Sequence, residues 1–76
     1  MFNKNKFKAK ITESGLSVEK LANILGISAV TLYRKMNGNS DFSRSEMQII
    51  RQALKINLAE MDEIFFAPEL AETQVS

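Results

Sequence analysis

Apolar residues recur at three- and four-residue spacing along most of this chain, the pattern of amphipathic helices rather than strands. Phe7 and Ile11 mark a first helix over residues 3–14, with Asn3 to cap it and Gly15 to end it. Leu16 then stands where an apolar contact often accompanies a glycine C-cap. Val18, Leu21, Ala22 and Leu25 form one face of a second helix, opened by Ser17 and closed by Gly26. Ile27 points back to the core, and Ser28 caps a third helix through Met36, with Leu32 and Met36 inward and Ala29 at the boundary. Gly38 closes it, with Asn37 before. The turn GNSDFS (38–43) is polar except for Phe42, an anchor to the core. Ser43 and Glu46 make a capping box that opens a fourth helix through Lys55. Its buried face is Met47, Ile50 and Leu54, with Ile49 and Ala53 beside it. Asn57 and Glu60 repeat the box and open a fifth helix, in which Leu58, Met61, Ile64 and Phe65 dock while Glu60, Asp62 and Glu63 face solvent. Ala67 and Pro68 stop that helix. The pattern predicts an all-α compact bundle of five helices over residues 1–66, followed by a polar, mobile tail over 67–76.

The stretch SVEKLANILGISAVTLYRKMNG (17–38) organises the rest. Its two short helices are joined by a turn too tight to be a loop, which is the spacing of a helix-turn-helix, a unit that presents its second helix to the DNA major groove. Helices joined so closely need a small residue near their crossing, and Ala22, Gly26 and Leu32 stand at the required intervals. The alternative is an ordinary helical hairpin of a small all-α domain.

Composition narrows the function. A chain of 76 residues is one domain with a modest core. It has no cysteine and no histidine, which excludes a disulfide framework and the usual zinc sites. No apolar run approaches the roughly 20 residues that span a bilayer, so no membrane partner is expected. Nor is there a glycine-rich phosphate loop or a paired acid set. No catalytic residue, metal or cofactor is therefore assigned. The net charge of +1 conceals an asymmetry: all 10 Lys and Arg lie at or before Lys55 against four acids, and five acids with no base follow. A basic body suits a polyanion, and an acidic end is expected to be held away from it. Lys4, Lys6, Lys8 and Lys10 spread over a broad arc if the first segment is helical. In an extended arm the same lysines line one side and wrap DNA. Phe7 and Ile11 favour the helix.

The outward set of the third helix has the chemistry to read DNA. Arg34 can fork onto guanine or clamp a phosphate, Asn37 can pair with adenine or a phosphate, and Val30 can pack on a thymine methyl. Tyr33 offers a ring and a hydroxyl, unless it is half-buried on a neighbouring helix. Ser28, Thr31 and Lys35 suit phosphate contacts that position rather than specify. Asn39, Ser40, Ser43 and Arg44 sit at a new helix N-terminus, where free N–H groups favour an anion. Ordinary capping explains the same residues. Met61, Phe65 and Phe66 form either a final core plug or a partner and dimer surface.

On the LANILGIS turn, the TLYRKMNG helix and the DFSRSEMQIIRQAL segment, the chain resembles small phage and prophage regulators of the Cro and lambda-repressor-like helix-turn-helix family. The resemblance covers about Leu16 to Phe66. It implies a five-helix DNA-binding domain that occupies a double-stranded operator as a homodimer, in the cytoplasm of a bacterial host. The family's base-reading positions fall on Ala29, Val30, Tyr33, Arg34 and Asn37, and its phosphate contacts on Ser17, Ser43 and Arg44. Where a glutamine commonly opens the second helix this chain has Val18, and Ala29 replaces a commonly polar residue. Tyr33, Arg34 and Asn37 are then left to carry the specificity. The alternative function is a small phage modulator that binds a partner repressor through the same surface or through its acidic end, which reads as a natural terminus.

Overall fold

Every helix of this protein begins at a short polar side chain that accepts a backbone N–H three residues on. The computed structural model describes residues 2–66 and contains α1 (Lys4–Glu13), α2 (Val18–Leu25), α3 (Ala29–Met36), α4 (Arg44–Leu54) and α5 (Leu58–Phe65). No strand occurs among the described residues. The caps are Asn3, Ser17, Ser28, Ser43 and Asn57, with N–H···O distances of 2.8–3.1 Å. Each satisfies an otherwise unpaired donor and contributes about 1 kcal/mol. At Ser43 and Asn57 the box is complete, because Glu46 and Glu60 reach back to the cap N–H at 2.8 and 3.1 Å. The expected tail over 67–76 lies outside the described residues.

The C-termini repeat one device. Ile27 N–H donates to Ala22 O, Asn39 N–H to Arg34 O and Ile56 N–H to Arg51 O, each across a residue in the left-handed conformation. That residue is glycine at Gly26 and Gly38. After α4 it is Lys55, at φ 54°, the one non-glycine residue with positive φ among those described.

Phe7, Leu21, Leu32, Met36, Ile50 and Ile64 are fully buried, and Ile11, Ala22, Leu54, Ile56 and Phe65 complete the core. Each fully buried large side chain contributes about 1.5–3 kcal/mol. Helix α4 packs on both α1 and α2, α3 packs on α2, and α5 packs on α1. Phe2, Phe7, Phe42 and Phe65 pack ring to ring, with all centroids within 6.0 Å of one another. Asn3 N–H donates to Ile64 O at 2.6 Å and fastens the start of α1 to α5. The segment carrying the four alternating lysines is thus a helix, not an extended arm.

Two expectations for the C-terminal part are corrected. Leu58 does not dock: it is 65% exposed, because it is the first residue of α5, outside the face that Ile64 and Phe65 turn to α1. Phe65 is a core plug closing the aromatic cluster, so it cannot belong to a partner surface, whereas Phe66 is 60% exposed. Two acids of α5 also pair with the basic body. Lys6 pairs with Glu63 at 2.7 Å and Lys10 with Glu60 at 2.5 Å, which neutralises two lysines of α1.

Candidate functional site

The unit around α2 and α3 follows directly from local chemistry. Gly26 at φ 76° turns the chain within three residues, Ile27 packs back against the core, and Ser28 starts α3. Ala22 is buried, as a short connection between two helices requires. Leu32 and Met36 are fixed in the core and set the rotation of α3 about its axis.

On the opposite side, Val30, Tyr33, Arg34 and Asn37 are all exposed. Their spacing of three, four and seven places them on one stripe. Val30 is 62% exposed and Tyr33 41%. Together they offer an apolar contact, an aromatic ring with a hydroxyl, a guanidinium and an amide. Ala29 is not part of the stripe: it is half-buried and packs on the core, which its place at the helix boundary decides.

The candidate phosphate-binding residues divide. Ser17 is exposed and caps α2, and Arg44 is exposed in the first turn of α4. Asn39 and Ser40 are exposed in the turn after α3. Ser28 and Thr31 engage each other, since Ser28 Oγ accepts Thr31 N–H at 3.1 Å and donates to Thr31 Oγ1 at 2.9 Å. Ser43 is committed to its capping box, which leaves the N–H groups of Arg44 and Ser45 as the open donors at that terminus. Lys35 is turned inward: its ammonium donates to Asp41 O at 2.8 Å and pairs with Glu46 at 3.2 Å. Burial pushes the Glu46 carboxyl up, but the Ser43 N–H and the Lys35 ammonium outweigh it and hold it below its ordinary 4.5.

One further residue belongs to this surface. Lys4, in the first turn of α1, reaches the end of α3 and donates to Asn37 Oδ1 at 2.6 Å. The sequence carries no signal that separates Lys4 from the alternating lysines after it.

A second feature lies away from the stripe. Leu58, Met61 and Phe66 of the C-terminal part and Met47 of α4 line a groove of about 360 Å³, to which Arg44, Arg51 and Asp62 also contribute. Among the described residues no group of three or more His, Cys, Asp or Glu is placed to hold a metal ion, and no helix is long and apolar enough to cross a membrane. The chain matches no protein-family model, no curated protein and no solved structure.

Proposed function

We propose that this protein is a sequence-specific DNA-binding transcriptional regulator of the Cro and lambda-repressor-like kind, a phage or prophage repressor that acts by occupying its operator. The observation that carries the reading is the outer stripe of α3: Val30, Tyr33, Arg34 and Asn37 on one face, the opposite face locked into the core, and a three-residue turn to α2. A rigid helix whose only exposed stripe combines a guanidinium, an amide, a ring and a branched apolar side chain suits the mixed polar and methyl edge of the major groove. Arg44 and the open N–H groups at the start of α4 supply phosphate contacts.

The active form on DNA is a homodimer, with half-sites about 34 Å apart. The groove between α4 and α5 supports a second copy as its occupant, because apolar side chains there lie between charges of both signs. The competing reading, a modulator that binds a partner repressor, draws on the exposure of Val30 and Tyr33. It loses the third member of an apolar patch, since Met36 is buried.

The test is binding of the purified chain to duplex DNA from the region flanking its own gene, across a salt series against random competitor. A repressor binds the flanking DNA far more tightly than the competitor, with a log–log salt slope of about −0.9 per phosphate neutralised. Equal, weak binding to both would favour the modulator.

A further inference from the structure

The contact between Lys4 and Asn37 joins residues 33 apart in sequence and fixes which way an amide points. An ammonium has three donors and no acceptor, so only the amide oxygen can face it, and the Asn37 NH₂ group is turned elsewhere. Both partners are held from behind. Asn3 N–H is bonded to Ile64 O just before Lys4, and the fully buried Phe7 follows one turn later. Asn37 ends α3 with its N–H on Tyr33 O at 2.9 Å, and Asn39 N–H returns to Arg34 O at 2.9 Å. Further along α1, Lys6 is engaged by Glu63 and Lys10 by Glu60. Among the described residues no carboxylate lies within ion-pair distance of Lys4.

An asparagine selects adenine by using both halves of its amide: the oxygen accepts from N6 and the NH₂ donates to N7. Here Lys4 takes one of the oxygen's two lone pairs, and its positive charge opposes a donor such as adenine N6–H approaching the other. The groups left unopposed at this end of α3 are the NH₂ of Asn37 and the two other N–H groups of Lys4, which are donors only. The major-groove edge made of two acceptors is that of guanine, with O6 and N7. We infer that Lys4 is a specificity-determining residue, which converts Asn37 from a reader of adenine into half of a two-residue reader of guanine. This inference rests on the DNA-binding function proposed above. A phosphate oxygen is also purely an acceptor, and the experiment separates it from guanine.

The full chain and its Lys4→Met variant select in parallel from a pool of random duplexes, and their preferences are compared base by base. The wild type selects guanine at one position of each half-site. In Lys4→Met the freed Asn37 oxygen moves that position toward adenine, by about tenfold in relative affinity, and leaves the other positions unchanged. Asn37→Ala abolishes the preference there in either background. In the free protein, Lys4→Met also shifts the Asn37 side-chain amide resonances, a readout that needs no DNA. An identical motif from both proteins overturns the inference and leaves the DNA-binding function standing. A loss of affinity equal on all sequences also overturns it, and makes the pair a phosphate clamp. Failure of the wild type to select any motif removes the DNA-binding function itself, and the inference with it.

Discussion

Lys35 Nζ lies 3.2 Å from Glu46 Oε1, with the two side chains only 13% and 15% exposed, and the pair ties the last turn of α3 to the first turn of α4. The same ammonium donates to Asp41 O and stands 5.9 Å from the Phe42 ring centroid. The same carboxylate closes the capping box of α4. Lys35 is therefore a strut that holds the turn over residues 37–43, not an outward phosphate contact. Lys35→Met keeps the stem and removes the charge, leaving Glu46 half-buried without its cation. We expect a loss of about 1–2 kcal/mol in unfolding free energy by urea titration. DNA affinity, measured where both proteins are fully folded, should stay the same. Weaker DNA binding at unchanged stability would return Lys35 to the phosphate-binding set.

Acid sensitivity follows from two carboxylates. Lys10 and then the Asn57 N–H hold the Glu60 carboxyl below its ordinary 4.5 against a smaller effect of burial, and Glu46 is depressed in the balance described above. A carboxyl depressed in the folded state stabilises fully above its unfolded value, and that contribution disappears as pH falls through the folded one. Stability should thus be level down to about pH 4.5 and fall below it. Lys10 is raised above 10.5, chiefly by Glu60, so its side of the same contact persists into alkaline solution. Replacing both Glu46 and Glu60 by Gln should lower stability at neutral pH and flatten the acid slope. An acid slope as steep as the wild type's would place the sensitivity in other groups.

Lys55 holds a conformation that costs an L-residue about 1–2 kcal/mol and costs glycine almost nothing. It does so because Ile56 must turn into the core while its N–H reaches Arg51 O. Glycine adds freedom to the unfolded chain, which offsets part of the gain. Lys55→Gly should therefore stabilise by about 0.5 kcal/mol, or raise the melting temperature by about 2–4 °C. A lower melting temperature would mean that the Lys55 side chain contributes contacts worth more than the backbone strain.

The helices were legible because their signals are local. A capping Ser or Asn, a box closed by Glu three residues on and a glycine at the end act within one turn, so all five starts can be read from the chain. The outer stripe of α3 was legible for the same reason, since Leu32 and Met36 fix the phase and Val30, Tyr33, Arg34 and Asn37 follow from it. What could not be read depends on distant residues or on an unusual backbone. The burial of Ile56 requires a left-handed lysine, which no propensity announces. The inward turn of Lys35 depends on Glu46, and the role of Lys4 depends on where α1 ends relative to α3. At the other end, Phe65 and Phe66 are adjacent and chemically equal. Only the position of Phe2, Phe7 and Phe42 decides which of them is swallowed.

Arg34 is the residue of the stripe whose chemistry is most specific, since a planar fork matches the two acceptors of guanine. It is exposed, one turn after Val30 and next to Tyr33. If it reads a base, Arg34→Ala should weaken binding to the operator by about 1–3 kcal/mol and relax preference at one position. Folding should be unaffected, because an exposed side chain carries little stability. Equal losses on operator and random duplexes would instead assign Arg34 to a phosphate.

Dimerisation is expected through Leu58, Met61 and Phe66, with Phe65 replaced in that set by Leu58. Leu58 and Phe66 are the most exposed large apolar side chains of the C-terminal part, and they line the groove together with Met47 and Met61. Arg51 and Asp62, which also line it, let a two-fold axis set unlike charges against each other. Sedimentation of the DNA-free protein should show a dimer whose population rises with concentration. Leu58→Glu puts a charge into the centre of the contact and should shift the protein to monomer. Asp62→Lys replaces attraction with repulsion at the rim and should act in the same direction, more strongly at low salt. Both positions are exposed, so neither change should alter the unfolding free energy of the monomer by more than about 0.5 kcal/mol. A strict monomer at high concentration would sink the α5 interface and leave pairing to be driven by the two half-sites of the DNA alone.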